Sequence, residues 1–449
     1  MSNKFCPFSV VLVVCAVIEV ECCPTHISIW PNGKTSFEAT IQVRWDQNCD
    51  PKPNWIKFFE KDPAISNLFP KSAIEIHNDS STDVVIDQRI GKLLFPGGWN
   101  RNDQLSLHST KPKTYPRGRC LDYYVASFRD SDLLSVNCLK IQPNWMRLTE
   151  HIADIPLKSL FIPGTHASGC YYNITKKGSW KMEKFYHTQN YDVWTQLVFG
   201  VRFLDLSLGY FLSNTAKYSI STVYEDTLVN PIINILVDVR NFVRLSGEVV
   251  LLDFRDFLSG SRDNVQYYHV LISLLEIELG EFTFRRNTSS THNQLYDFSL
   301  NDVIKAGKNI LLMGSLEKLK EFDVETDLIW PSWKSFSTGN LNDSEILDQM
   351  RLIFSGRSNS PTYNEGFIFH FNRGQEAFPQ FVDKVSTTRE RAISINYKIK
   401  DWLSGPWSLQ ANVVTADFIM STNLIELALT TNRYKAYRFA NEFVSFPVS

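Results

Sequence analysis

Two hydrophobic patterns divide the chain. From about Pro24 to Ile141, short segments such as Thr40–Trp45 and Asn54–Phe59 alternate apolar and polar residues. This alternation is typical of half-buried strands, and clusters of turn-forming residues separate the segments. The pattern predicts an all-β domain of the sandwich type, which we place at residues 23–142.

Beyond residue 142, apolar runs of strand length alternate with helical segments. Pro231–Leu245 places its apolar side chains on one helical face, and Val265–Phe282 is also predicted to be helical. Further predicted elements are strands at Asn309–Met313, Gly366–Phe371 and Ala392–Asn396 and a closing helix at Leu424–Asn432. Alternation of strands and helices predicts a parallel α/β architecture over residues 143–449.

One predicted strand ends in polar residues. Leu157–Gly169 (LKSLFIPGTHASG) begins as an apolar run, which Pro163-Gly164 breaks. His166 follows the break, and the carboxyl ends of strands are where α/β enzymes place their chemistry. His166 is therefore a candidate catalytic residue. The alternative is a polar residue that serves only the geometry of the turn.

Three later segments bring acids to similar places. Gln196–Tyr210 (QLVFGVRFLDLSLGY) is predicted as a second strand and contains Asp205. Gly247–Phe257 (GEVVLLDFRDF) and Asn412–Ile419 (NVVTADFI) are further apolar runs that end at an acid. Together with the first segment they give the ordered series IPGTH-x-SG, QL-x-x-GVR-x-LDL, EVV-x-LDF and V-x-x-DF.

This series resembles the X domain of phosphatidylinositol-specific phospholipase C, in the branch of small proteins that have only the X domain. The resemblance runs from Pro143 to about Arg438, roughly two thirds of the chain. It implies an irregular TIM-type barrel, so the expected fold is α/β with an all-β sandwich in front. Trp55–Pro63 and Phe95–Trp99 resemble the sandwich that precedes the barrel in arthropod-type relatives.

The resemblance also implies site residues. His166 matches the family's general base, which takes the proton of the inositol 2-hydroxyl as this group attacks the phosphate. Asp417 matches the acid that orients the base, and Asp205 matches a buried carboxylate of the site. Each acid has a plainer alternative, a helix-capping or structural carboxylate for Asp417 and a hydrogen-bonded core acid for Asp205.

The sequence departs from the family pattern at three positions. Ala167 follows the base where the family usually has Asn or Asp. Ser207 stands where metal-independent members carry an arginine and calcium-dependent members carry an acid. Tyr224 stands where the second catalytic histidine is expected. No cofactor or metal is expected, because calcium needs oxygen ligands, and Ala167 offers none and Ser207 only a hydroxyl.

Several groups could replace what is missing. Arg255 lies two residues after Asp253, so both side chains can share a strand face, although a surface arginine is the plainer interpretation. His370 and Trp407 are weaker candidates for the mouth of the pocket, since such residues in apolar patterns are more often core. A displaced acid could come from Glu225 or Asp226.

The resemblance and the departures leave three functional hypotheses. The first is a phosphoric diester hydrolase that acts, weakly, on an inositol phospholipid or a related headgroup, with Ser207, Tyr224 and Arg255 as substrate-binding candidates. The second is a pseudoenzyme that binds such a headgroup, a glycan or a protein partner. The third is a scaffold that binds nothing small.

Composition narrows the choice of partner. The chain has 449 residues, of which 43% are hydrophobic and 21% charged, and the formal net charge is −2. These values are ordinary for a globular protein. Without a basic patch, a nucleic-acid partner is not expected.

The N-terminal region predicts secretion. Phe8–Ile18 has the length of a signal-peptide core and is too short to span a bilayer, so residues 1–22 are predicted to be a signal peptide. An oxidising compartment would allow Cys120 and Cys138, on adjacent predicted strands, to pair. The N-x-S/T sequons, each a candidate glycan site, are Asn78, Asn173, Asn287 and Asn342.

Overall fold

The structure is a computed structural model, and it forms two compact units. It describes residues 25–31, 39–45, 50–65, 69–76, 83–91, 93–104, 111–171, 184–212, 218–224, 227–255, 257–258, 265–287, 294–359, 365–374 and 386–444. Of these described residues, the first unit takes those within Met1–Ser28, Thr40–Gln88 and Cys120–Leu139, and the second takes those within Ile29–Ala39, Arg89–Arg119 and Lys140–Ser449.

Several sequence predictions lie outside the described residues. These are the signal peptide at 1–22, the sequons at Asn78 and Asn173, and the substitute acids Glu225 and Asp226. The other two sequons, at Asn287 and Asn342, are exposed. Asn342 also caps a helix, since its Oδ1 accepts a hydrogen bond from the backbone N–H of Glu345 at 3.1 Å.

The strands of the β-rich part are β1 Thr25–Pro31, β2 Ala39–Trp45, β3 Trp55–Phe59, β4 Ser72–Glu75, β5 Asp83–Arg89, β6 Arg119–Arg129 and β7 Asp132–Ile141. They form two sheets, with strand orders β1-β2-β5 and β4-β3-β6-β7. Strand β3 runs antiparallel to both of its neighbours. A disulfide bond joins Cys120 to Cys138, the pair named from the sequence, with 5.6 Å between their Cα atoms. This arrangement fits the expected sandwich.

The later strands are β8 Ile162–Thr165, β9 Phe203–Asp205, β10 Leu208–Leu212, β11 Tyr218–Tyr224, β12 Thr227–Pro231, β13 Val250–Phe254, β14 Phe257–Leu258, β15 Ile310–Gly314, β16 Ile329–Pro331, β17 Lys334–Ser337, β18 Phe367–Phe371 and β19 Val413–Ala416. The helices are α1 Arg101–Gln104, α2 Trp145–Leu148, α3 Val193–Phe199, α4 Ile232–Ser246, α5 Val265–Leu279, α6 Leu300–Lys305, α7 Leu316–Glu321, α8 Asp343–Asn359, α9 Thr388–Leu403, α10 Pro406–Gln410 and α11 Leu424–Val444. Within the described ranges, no helix is both long and apolar enough to cross a bilayer.

The second unit is built on one curled sheet of eight strands. Its order is β16-β15-β13-β9-β8-β19-β18-β17, and neighbouring strands run parallel. Only Ser332 and Trp333 separate the two edge strands in sequence. Because so short a link spans roughly 10 Å at most, the two edges lie close together and the sheet curls around its own core. Side chains such as Phe203, Leu251 and Met313 fill that core. The predicted TIM-type barrel is confirmed.

The boundary drawn from the sequence at residue 142 does not follow the observed division. Trp99 is fully buried and belongs to the barrel unit. Its ring lies 6.0 Å from that of Phe242, and its carbonyl accepts a hydrogen bond from the Trp194 indole at 2.8 Å. Local alternation of apolar and polar residues cannot tell which core an aromatic side chain enters.

One predicted strand is wrong in part and another is wrong, because helices occupy those residues; the later part of Gln196–Tyr210 does form strands, β9 and the start of β10. The N-terminal part of Gln196–Tyr210 belongs to α3, which Asp192 caps by accepting from the N–H of Thr195 at 2.9 Å. Ala392–Asn396 lies inside α9, which begins with a capping box at Thr387. Short apolar runs fit either structure, so the caps decide.

A buried ion pair ties the start of the barrel together. Arg202 precedes β9, Glu248 precedes β13, and neither side chain is exposed. Their Nη2 and Oε2 atoms are 2.7 Å apart, and Arg202 Nη2 also donates to the carbonyl of Pro143 at 3.0 Å. Glu248 accepts from the N–H groups of Met146 and Arg147 at 3.0 and 2.7 Å. Burial lowers the pKa of Arg202, and the charge of Glu248 opposes that shift.

Candidate active site

The carboxyl ends of adjacent barrel strands carry the candidate residues. His166 directly follows β8, Asp205 ends β9, and Asp417 directly follows β19. Strand β8 pairs with both β9 and β19 in parallel register, so the three side chains come from neighbouring strands. The motifs, which are far apart in sequence, therefore meet at one end of the barrel.

His166 and Asp417 form a close pair. The distance from His166 Nδ1 to Asp417 Oδ1 is 2.7 Å. The Asp417 side chain is 2% exposed, whereas that of His166 is 17% exposed. Gln189 donates from Nε2 to the carbonyls of His166 and Ala416 at 3.0 and 2.9 Å, which fixes the backbone on both sides of the pair. The imidazole is anchored on one edge by a buried acid and retains access to solvent.

Asp205 lies beside this pair. Its Oδ2 atom is 4.0 Å from His166 Nε2 and 4.0 Å from His370 Nδ1. The same oxygen accepts a hydrogen bond from the N–H of Ala167 at 3.2 Å. Asp205 thus places a carboxylate between two imidazole rings.

Ala167 adopts a conformation that does not suit alanine. Its φ angle is +42°, in the left-handed region. Asn and Asp occupy this region several times more readily than other side chains do, because their polar groups bond locally. An Asn or Asp, which the sequence resemblance leads us to expect here, would adopt this backbone conformation more readily than Ala167 does.

Tyr224 contacts the base from another side. Its ring is 6.2 Å from that of His166, in an edge-on arrangement at 81°, and it is 8% exposed. It packs with Ala167, Cys170 and Val229. Ser207 is half-buried. Tyr224, where the sequence resemblance predicts a second histidine, therefore lies beside His166 and presents a phenol.

The guanidinium of Arg255 forms hydrogen bonds within the protein. Its Nη2 donates to Asp253 Oδ2 at 2.7 Å and to the carbonyl of Trp333 at 3.1 Å. Asp253 also accepts from Ser332 Oγ at 2.5 Å. Burial raises the pKa of Asp253, and Arg255 opposes that shift. The Arg255 side chain is 21% exposed, so the surface interpretation underestimated its burial.

His370 belongs to the site, and its sequence signal was weak. Its ring is 5.8 Å from that of His166, and its Nδ1 is 2.8 Å from Thr415 Oγ1. Burial lowers the pKa of His370 to about 3, against the opposing effect of Asp205. A short apolar run gave no reason to expect a neutral imidazole at the strand end.

Trp407 does not line the pocket mouth. It lies in α10, which immediately precedes the amino end of β19, and its ring is 6.2 Å from that of Phe354. The candidate site is at the carboxyl ends of the strands. Trp407 therefore packs at the opposite end of the barrel, a placement that only the helix at Pro406–Gln410 reveals.

His370 should make stability depend on pH. Its folded pKa of about 3 lies below the ordinary value of about 6.5. The unfolded chain thus binds an extra proton between these pH values, and the free energy of unfolding should fall by up to about 1.4 kcal/mol per unit as pH drops below about 6.5. We expect urea titrations at pH 5 and pH 7 to show a smaller difference for His370→Asn than for the wild type.

The control for this experiment is His151→Asn, at a side chain that is 51% exposed. It should keep the pH dependence of the wild type. Equal dependence in His370→Asn and the wild type would contradict the assignment of this proton to His370.

No cluster of three or more His, Cys, Asp or Glu side chains that could hold a metal ion occurs among the described residues.

No family model matches the sequence. The chain is 28% identical over 186 residues to PI-PLC X domain-containing protein 1 from Homo sapiens, covering 36% of this chain and 55% of the relative. The chain thus spans about half the length of the curated relative it matches.

Solved structures of similar proteins include the phosphatidylinositol-specific phospholipase C from Listeria monocytogenes. It is 17% identical with a TM-score of 0.48, over 64% of this chain and 98% of that one. The corresponding enzyme from Staphylococcus aureus is 15% identical with a TM-score of 0.45, over 64% and 97% of the two chains.

Proposed function

We propose that the chain carries an X domain of the phosphatidylinositol-specific phospholipase C type and is a phosphoric diester hydrolase-type protein with a degraded active site, a proposal that the similarity to PI-PLC X domain-containing protein 1 supports. In this proposal it binds an inositol phospholipid or a related headgroup and cleaves it weakly. The observation that carries the proposal is the 2.7 Å contact between His166 Nδ1 and Asp417 at the carboxyl end of the barrel.

The pair has the chemistry of a general base. A substrate hydroxyl that approaches Nε2 of His166 can give up its proton there as its oxygen attacks the phosphorus. Asp417 accepts a hydrogen bond from Nδ1 of the same ring, so it stabilises the imidazolium that forms and holds the ring in position. The diester bond then breaks, and the leaving alkoxide needs a proton of its own.

Fast turnover needs two further groups, a general acid for the leaving alkoxide and a cation for the phosphate, and the residues at the two expected positions supply these functions poorly or not at all. Tyr224 takes the place of the acid, and a phenol with an ordinary pKa of about 10 protonates a leaving group less readily than an imidazolium does. Ser207 takes the place of the arginine and carries no charge to balance the phosphate. The proposal of weak turnover follows from these two substitutions.

The test is turnover of phosphatidylinositol vesicles by the purified chain. We expect His166→Ala to lower the rate by about 10²–10⁴-fold, the usual contribution of a positioned general base. Calcium and a chelator should each leave the wild-type rate unchanged. The matched control is His269→Ala, at an exposed histidine of α5, which should retain the wild-type rate.

Equal rates for the wild type and His166→Ala would remove the hydrolase from consideration. The second candidate, a secreted pseudoenzyme, is favoured by the burial of Tyr224 against His166. In that case calorimetric titration with inositol 1-phosphate should show binding without turnover. A glycan or protein partner becomes the better candidate if this titration shows no heat.

We also propose that the protein is secreted and glycosylated and belongs to the arthropod-type branch. The apolar run at Phe8–Ile18 and the sequons support secretion and glycosylation, and the resemblance of Trp55–Pro63 and Phe95–Trp99 to arthropod-type relatives supports the branch. Expression in cells with a secretory pathway should release a chain into the medium whose mass falls on treatment with a glycosidase. Retention of the whole chain inside the cells would contradict it.

A further inference from the structure

The side chain of Asn372, at the carboxyl end of β18, contacts the imidazole of the candidate base His166. Asn372 directly follows β18 and is half-buried. Its backbone is held by Thr338, whose Oγ1 donates to the carbonyl of Asn372 at 2.6 Å and accepts from its N–H at 3.0 Å. The side chain therefore projects from a fixed backbone and not from a free loop.

Two donors determine which way the amide of Asn372 faces. Its Oδ1 lies 3.3 Å from the backbone N–H of Gly339 and 2.7 Å from Oγ of Ser337. A backbone N–H can only donate a hydrogen bond, so the atom that faces Gly339 must be the amide oxygen. The NH₂ group must then point in the other direction.

That direction is toward His166. Asn372 Nδ2 is 3.3 Å from Nε2 of the imidazole. An amide NH₂ group can only donate a hydrogen bond. Nε2 must therefore be the acceptor, which requires that it carries no proton. In a neutral imidazole the proton is then on Nδ1, which donates it to Asp417 at 2.7 Å. One chain of donors thus runs from Gly339 through Asn372 and His166 to Asp417.

We propose that Asn372 is a positioning residue that holds His166 in the tautomer with an unprotonated Nε2. This is the tautomer that a general base needs, because the lone pair on Nε2 receives the substrate proton. The assignment of the tautomer stands on the contacts alone. Its importance for turnover rests on the proposed function.

Other groups around the imidazole act on its charge and do not fix the same proton. Asp417 and Asp205 both favour imidazolium, and Asp205 is the more distant, at 4.0 Å from Nε2. His370 and Tyr224 face the ring edge-on. An amide donor at Nε2 opposes protonation, so replacing it by a carboxylate should stabilise imidazolium.

The direct test is a long-range ¹H–¹⁵N NMR spectrum of the full chain labelled with ¹⁵N-histidine. The His166 signals are identified by their loss in His166→Gln. We expect the shift of a protonated nitrogen at Nδ1 and of an unprotonated nitrogen at Nε2 at neutral and mildly alkaline pH. This measurement needs no activity and no substitution of Asn372.

Asn372→Asp should reverse the pattern. The carboxylate accepts a hydrogen bond from Nε2–H, which favours a protonated Nε2. The midpoint of the His166 titration should rise by about one pH unit or more, a shift expected of a new adjacent negative charge. The matched control is Asn441→Asp, which makes the same change of charge at an exposed position of α11. It should leave the His166 signals in place.

A milder variant guards against loss of structure. Ser337→Ala removes one donor to Asn372 Oδ1 and leaves the Gly339 N–H, so the tautomer should persist. A protonated Nε2 in the wild type, or an unchanged tautomer and midpoint in Asn372→Asp, would overturn the proposal. If the NMR results hold and vesicle turnover is unaffected by Asn372→Asp, the tautomer assignment stands and His166 is not the general base. If the NMR results hold and the wild type shows no turnover, the tautomer assignment stands and the hydrolase function fails.

Discussion

Glu248→Ala is expected to lower the free energy of unfolding by about 3–5 kcal/mol, the range for removal of one partner of a buried ion pair. The substitution leaves the Arg202 guanidinium buried without a carboxylate, since neither side chain is exposed in the wild type. It also removes the acceptor for the N–H groups of Met146 and Arg147, which lie in α2, the helix that precedes the first barrel strand. Denaturant titration followed by tryptophan fluorescence measures the loss.

Two comparisons separate this mechanism from a general effect of the substitution. The double variant Arg202→Met, Glu248→Leu removes both charges, so it should recover the part of the loss that comes from the unpaired guanidinium. Recovery should be incomplete, because the N–H groups of Met146 and Arg147 still lack their acceptor. Glu276→Ala breaks a surface pair with Arg285, whose side chain is 37% exposed, and should cost about 1 kcal/mol or less. Equal losses in Glu248→Ala and Glu276→Ala would show that burial of the pair does not matter.

The architecture of the barrel follows from patterns that are visible in the sequence. Apolar runs such as Val250–Phe254 are buried on both faces, as strands of a parallel sheet are. Pro231–Leu245 was predicted as a helix from its periodicity, and α4 spans Ile232–Ser246. Long periodic segments specify their own structure, and the fold prediction succeeded where such segments were present.

Short apolar runs were less informative. The segment at Gln196–Phe199 is as apolar as a strand, yet it lies in a helix that Asp192 caps and Gly200 ends at a φ of +126°. Ala392–Asn396 has the alternation of a strand but follows the capping box of Thr387 and Glu390. In both cases the polar residues at the ends carried the information and the apolar residues did not.

The candidate site was predictable only in part, for a similar reason. His166, Asp205 and Asp417 follow apolar runs and sit in motifs, so the sequence singles them out. Asn372 and Gln189 have no such signal, because their roles depend on which backbone groups the barrel brings within hydrogen-bonding distance. The contacts around the candidate base come from the tertiary structure, whereas the candidate base itself is visible in a local sequence pattern.

If the chain is the weak hydrolase proposed above, a histidine at Tyr224 and an arginine at Ser207 should raise its turnover of phosphatidylinositol. Tyr224→His returns an imidazole beside His166, where the tyrosine ring lies 6.2 Å from it, and a general acid contributes about 10²–10⁴-fold. Ser207→Arg returns a cation for the phosphate, which contributes about 10²–10³-fold. The gains should not multiply in full, because such groups act as a unit, so we expect about 10²–10⁴-fold for the double variant. Initial rates on phosphatidylinositol vesicles measure this gain.

Matched variants separate chemistry from packing in this experiment. Tyr224→Phe keeps the shape of the ring and Ser207→Gln adds length without charge, so neither should raise the rate. Adding His166→Ala to the double variant should abolish the gain, because an acid and a cation cannot replace the base that starts the reaction. A double variant that folds, binds inositol 1-phosphate and still turns over no faster than the wild type would mean that the loss lies elsewhere, and the αL backbone at Ala167 is then the next position to restore, as Asn.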